Sequence, residues 1–206
     1  VEADGSVVVR ATISRTHTGD PYEDMYGAAN ITYMRLYVPE DAILLDAGGF
    51  IYPPEEAFKV PESWYEEDTD LLRIEHEVGI HRSTGTRITN EFGKTAFGNW
   101  MIVPPGESRD IWFTYRLPFS VVDVKREADG LSDIFASQPD AVSRYSLFVQ
   151  KQSGVESTFA STIGYTTGWV PRWKSNDAVD LTPIGAQIET TLDRDTIYGV
   201  VLEYRP

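Results

Sequence analysis

The sequence predicts an all-β fold in which two sheets face one another across an apolar core. Side-chain alternation with a period of two returns along the chain, a sustained helical period does not, and Pro, Gly and Asp clusters separate the alternating runs. Composition permits such a core, since 41% of the 206 residues are apolar and 12% aromatic against 24% charged.

Taken in order, the first strand runs from Ser6 to Ser14, where Val7, Val9, Ala11 and Ile13 share one face and Val8, Arg10 and Thr12 the other. In residues 30–38, Met34, Leu36 and Val38 alternate with Tyr33, Arg35 and Tyr37, and Pro39 then removes a ladder donor. Leu72, Ile74, His76 and Val78 repeat the pattern against Arg73, Glu75 and Glu77. Further strands are expected at 86–92, 94–103, 109–117, 144–152, 157–166, 186–192 and 196–204, about ten in all. The turn Pro104-Pro105-Gly106-Glu107 is expected to join two of them as a hairpin, and Asp193-Arg194-Asp195 divides the last two in the same manner. Short strands in long succession indicate a two-sheet sandwich, immunoglobulin-like or related, with inner faces built from residues such as Leu36, Val38, Ile74, Phe113, Tyr115, Leu147 and Val149. Two segments read as irregular insertions, 48–70, with its prolines and acids, and 119–143, the one candidate for a short helix. With no repeat and no clear linker, 1–206 reads as one domain.

Charge excludes some partners. The 18 basic and 32 acidic residues give 18 − 32 = −14, and no basic stripe exists to displace counterions from a phosphate backbone. The absence of cysteine excludes disulfides, thiolate metal sites and cysteine nucleophiles together. No apolar run approaches the roughly 20 residues that cross a bilayer as a helix. The chain opens at Val1 without Met and enters a strand almost at once, as expected of a fragment or processed form whose signal or anchor lies upstream.

The candidate chemistry is sparse. His76 and His81 stand five apart in an alternating segment and should point to opposite sides, so His76 reads as a partly buried polar residue rather than a metal ligand. No Gly-x-Ser-x-Gly elbow occurs. A carboxylate hydrolase would require two acids converging in a pocket, one with a raised pKa. Calcium takes six to eight oxygens, and the acid pairs Asp193 with Asp195 and Asp129 with Asp133 are the candidates for holding one. Otherwise no cofactor is expected. Trp169, Arg172 and Trp173 in an expected loop, with Trp64 and Tyr65 elsewhere, are candidates for stacking on a sugar or a protein, the competing reading being that the indoles seal the core. Asn30-Ile31-Thr32 fits the glycosylation triplet. An isopeptide bond from Lys94 or Lys151 to an Asn would need a buried acid beside the pair.

The series Tyr33-Met34-Arg35-Leu36-Tyr37-Val38-Pro39, Phe92-Gly93-Lys94-Thr95-Ala96-Phe97-Gly98, Val103-Pro104-Pro105-Gly106-Glu107-Ser108, Tyr115-Arg116-Leu117-Pro118 and Tyr145 through Gly154 resembles the C-terminal region of bacterial proteins carrying a domain of unknown function called DUF4012. The resemblance covers roughly 30–204, departs from the family pattern in a longer 119–143 stretch, and includes no catalytic motif. It implies a surface-exposed β-rich part of a membrane-anchored envelope protein. The expected function is therefore a non-enzymatic extracellular module with a structural or protein-interaction role; the alternative is a carbohydrate-binding module acting on envelope glycan.

Overall fold

The computed structural model describes residues 1–2, 4–121, 142–166 and 168–204, which fall into two compact units. The larger is Val8–Pro118 and the smaller combines Val1–Val7 with Phe119–Pro206. Residues 1–206 read as one sandwich in the sequence; in the structure each unit has its own pair of sheets. The fold is all-β, with thirteen strands among the described residues.

In the larger unit one sheet has the order β1 (Ser6–Thr16), β7 (Ser108–Ser120), β3 (Ile43–Gly48), and the other the order β2 (Asn30–Pro39), β6 (Lys94–Val103), β5 (Thr86–Glu91), β4 (His76–His81). The inner faces meet through aromatic rings, as alternation requires. Phe97 of β6 lies 6.1 Å from Phe113 and 5.7 Å from Tyr115, both of β7, measured between ring centroids. Val38, Met101, Val103 and Ile111 complete this buried layer. Leu36 is half-buried.

The expected 104–107 hairpin is not formed. Both edges of β6 are occupied, by β2 and β5, so β7 cannot pair with it and crosses to the other sheet. The turn itself forms, with Glu107 N–H donating to Pro104 O and Gly106 at φ +73, and His17 beyond β1 holds it through both its backbone groups. The alternation at Leu72–Val78 is also only half strand. Asp68 caps a six-residue helix α1 (Thr69–Ile74) by accepting from the N–H groups of Asp70 and Leu71, and Ile74 is exposed instead of core. The chain between Gly48 and Asp68 is otherwise irregular apart from one 3-10 turn, Glu55–Ala57, as the insertion reading expects.

The hairpin that does form between β5 and β6 turns on Phe92 and Gly93, at φ 52 and 67, the conformation of a type I′ turn. Phe92 is 77% exposed there and bears the cost of a left-handed backbone with no packing in return. Phe92→Asn is expected to stabilise the unit by about 0.5–1 kcal/mol, read as a higher urea midpoint at unchanged slope.

In the smaller unit the sheets are β10 (Trp169–Lys174), β13 (Thr196–Tyr204), β8 (Val142–Val149) and β11 (Asp180–Thr182), β12 (Gly185–Thr191), β9 (Thr158–Gly164). Tyr198, Val200 and Leu202 alternate inward along β13 and are buried with Ala186, Ile188 and Ile163, and the Tyr198 hydroxyl donates to Ser161 Oγ across the two sheets. Leu147 and Val149 are half-buried. Here too the last two strands lie in different sheets, and Asp193–Asp195 carries the chain between them. Most of the 119–143 insertion lies outside the described residues; β7 ends at Ser120 and β8 begins at Val142.

Candidate functional site

The outer face of the β2-β6-β5-β4 sheet brings together charged and aromatic side chains from several strands of the larger unit. Along β2 the residues that alternate outward are Tyr33, Arg35 and Tyr37, and their partners on β6 are Trp100, Gly98 and Ala96. On β5 the outward residues are Arg87, Thr89 and Glu91. A bulge between Glu77 and Gly79 shifts β4 so that Ile80 stands opposite Arg87. Gly98 and Ala96 make the central strand low. A Cβ at Gly98 would stand 2.3 Å from the Tyr33 hydroxyl, so that tyrosine can lie across the strand only because position 98 is glycine.

Two buried carboxylates, Glu91 and Glu75, and the more exposed Glu77 sit in this face. Glu91, only 2% exposed, accepts from Thr89 Oγ1 at 2.6 Å, Tyr37 Oη at 2.6 Å and Arg35 Nη1 at 3.2 Å. Glu75, the residue that ends α1, takes Arg87 Nη1 at 2.9 Å and pairs with Arg35 through its other oxygen, while Arg87 Nε reaches Glu77 at 3.1 Å. Burial pushes the Glu91 carboxyl up, but the Thr89 and Tyr37 hydroxyls and the Arg35 charge outweigh it and hold the group below the ordinary glutamate value. Burial alone would lower Arg35 and Arg87. Their hydrogen bonds, to Tyr37 and Glu75 for Arg35 and to Glu75 and Glu77 for Arg87, raise both instead. Burial raises the Tyr33 phenol against the pull of Arg87 and Arg35. Glu91 is therefore ionised near neutrality, as are the Arg35 and Arg87 guanidinium groups, and the ion pairs join two guanidinium groups to three carboxylates.

Beside it lies an open cavity of about 480 Å³, lined by Tyr33, Trp100, Tyr52, Ile80 and Arg87 with Gly98 and Gly85 as its bare surfaces. Tyr33 and Phe58 meet the Trp100 ring edge-on at 5.0 and 5.4 Å. Tyr52 comes from the irregular 48–68 segment, which is fastened where Ile51 N–H donates to Trp100 O. The arrangement offers apolar ring surface beside a guanidinium held in place by its carboxylate partners.

The residues singled out from sequence are dispersed. Trp169, Arg172 and Trp173 belong to the smaller unit and lie on strand β10, not in a loop. Trp169 is 6% exposed and packs on Tyr204 at 5.3 Å, so it seals the core as the competing reading holds. Arg172 is paired with Glu203, and Trp173 is exposed opposite Val201. Trp64 and Tyr65, in the larger unit, are exposed and face each other at 4.8 Å with 35° between planes.

Of the calcium candidates, Asp195 accepts the Lys151 N–H at 2.8 Å as a turn cap and Asp193 contacts Arg194 at 3.4 Å. Asp129 and Asp133 lie outside the described residues. Among the described residues no three His, Asp or Glu side chains come together to hold a metal. His76 is exposed instead of partly buried, and the bulge in β4 turns His76 and His81 to the same side, opposite Asn90 and Thr86 at the two ends of the strand. Lys94 is exposed, and the Lys151 ammonium donates to the backbone carbonyls of Gln152 and Val155, so neither stands in a buried acid-assisted pair with Asn.

Sequence reading missed the face that the structure assembles. Tyr33, Arg35 and Tyr37 were visible as the polar side of an alternating strand, yet nothing in a single chain says that Arg87, Glu91 and Trp100 stand beside them. No known protein family, curated protein or solved structure matches the chain.

Proposed function

We propose that this chain is a non-enzymatic β-sandwich module displayed on the bacterial cell surface as part of a membrane-anchored envelope protein, with a structural or protein-interaction role. The location rests on the motif series running from Tyr33 to Gly154 and on an acidic charge of −14, which keeps a displayed surface hydrated and monodisperse. The non-enzymatic reading rests on one observation: both buried carboxylates of the outer face, Glu75 and Glu91, are tied to arginines. A glycosidase needs one carboxyl that keeps its proton near neutral pH, and Glu91 is displaced in the opposite direction.

Two measurements test this. Chromogenic glycosides, esters and peptides incubated with the purified protein are expected to show no turnover that distinguishes it from its Glu91→Gln variant. Protease treatment of intact cells is expected to remove the module. Turnover abolished by Glu91→Gln would overturn the non-enzymatic reading, and full protection in intact cells would overturn the location.

A further inference from the structure

We propose that the cavity beside the ion-pair network binds one uncharged hexopyranose unit of a glycan. The inference goes beyond the protein-interaction role above, to glycan, and rests on its non-enzymatic part. It places the glycan contact at a site distinct from Trp169, Trp173, Trp64 and Tyr65.

Among the described residues lining the cavity Arg87 is the one ionised side chain, and its guanidinium is already engaged by Glu75 and Glu77. An anionic ligand would have to displace those carboxylates within a chain of net charge −14, so anions are disfavoured. A cationic ligand fares no better, because Arg87 lines one wall and the Arg35 guanidinium occupies the Tyr33 ring face at 5.7 Å, where a cation would otherwise sit. An uncharged ligand remains.

The walls define its shape. Tyr33, Trp100 and Tyr52 supply ring surface, Ile80 adds an aliphatic side, and the glycines at 98 and 85 leave the floor and rim bare. A pyranose ring presents aliphatic C–H groups on its faces and hydroxyl groups around its edge. Its faces suit the aromatic wall, and its edge suits donors and acceptors held in place. On the cavity wall the fixed polar group is Arg87, whose Nε and Nη1 are held by Glu77 and Glu75 before a ligand arrives, so its orientation costs nothing further in ordering. About 480 Å³ lies within the range of small-molecule sites, and the openness of the cavity suits a unit within a chain. Tyr52 is 61% exposed and Ile80 60%, so both have surface to lose on binding.

The test is calorimetric titration of the whole chain with neutral gluco-, manno-, galacto- and N-acetylglucosamine hexasaccharides, with oligoglucuronate and choline as charged controls and the sugars analysed for cleavage afterwards. Saturable binding of a neutral hexasaccharide is expected, weakened at least tenfold by Tyr52→Ala and unchanged by Trp64→Ala or Trp173→Ala. Tyr52 lies in an exposed irregular segment, so that variant is expected to fold; its melting temperature checks this. Gly98→Ala, which drives Tyr33 from its place, should weaken binding as well. No binding across the neutral panel, preference for either charged control, or Tyr52→Ala binding like the parent chain would each overturn the assignment while leaving the non-enzymatic reading standing. Cleavage of the bound sugar would overturn that reading and this inference with it.

Discussion

Phe113→Ala is expected to destabilise the larger unit by about 3–5 kcal/mol, a loss composed of buried aromatic transfer energy and the cavity left behind. Phe113 is fully buried at the centre of the inner layer, against Phe97 from the opposite sheet and Phe50 from the irregular segment at 5.4 Å. Ile111 and Tyr115 flank it on the same face of β7 and are buried with it. For a domain whose total stability is of the usual 5–15 kcal/mol, such a loss takes a large share of it. Urea unfolding followed by tryptophan fluorescence reads the midpoint, with Trp64, Trp100 and Trp112 reporting from the larger unit and Trp169 and Trp173 from the smaller. Phe148→Ala, an exposed position on β8, is the control and should stay within about 0.5 kcal/mol of the parent. A Phe113→Ala protein as stable as the control would mean that the two sheets do not meet where the rings place them.

Glu91→Ala is expected to cost about 2–3 kcal/mol, because three donors lose one acceptor at once. The figure sits below that for a fully buried ion pair since Arg35 and Tyr37 keep partial access to water and can rehydrate. The same residue governs acid stability. Its native pKa lies below the ordinary value of 4.5, so the unfolded chain binds the proton more readily. The stabilisation is accordingly complete above the ordinary glutamate range and is lost as pH falls from there through the depressed native value. Stability measured between pH 7 and pH 3 should therefore fall more steeply for the parent chain than for Glu91→Ala, so that the gap between the two curves narrows toward the acid end. Parallel curves would mean that Glu91 does not titrate in the way its partners require.

What was legible in the sequence is local and periodic. The alternation of Val7, Val9, Ala11 and Ile13, and of Met34, Leu36 and Val38, fixes which side of each strand faces inward, and the structure agrees. Pairing was not legible. Pro104-Pro105-Gly106 specifies a tight turn, but whether the chain returns alongside the same strand or crosses to the facing sheet depends on which edges of β6 are already taken. Asp68 and Asp70 carried a capping signal that outweighed the apparent alternation from Leu72 onward, a case of short-range hydrogen bonding overriding period. The outer-face site was illegible for the same reason as the hairpins. Glu75, Arg87 and Trp100 lie 12 and 13 residues apart, and only the register of β4, β5 and β6 brings them beside Arg35. Trp169 and Trp173 drew attention because tryptophans four apart stand out in a line of text, yet β10 buries one and exposes the other.

On the outer face of the β2-β6-β5-β4 sheet the Glu91 carboxylate is held ionised by Thr89, Tyr37 and Arg35, and the proposed contact role of that face stands or falls on it. The most direct measurement is a carbon-13 NMR titration of the glutamate side-chain carboxyls, with Glu91→Gln used to assign the Glu91 resonance. The structure predicts that Glu91 titrates below the ordinary glutamate value of 4.5, held there by Thr89, Tyr37 and Arg35. A carboxyl at position 91 that keeps its proton to near-neutral pH would be a general acid in waiting, and would contradict the account.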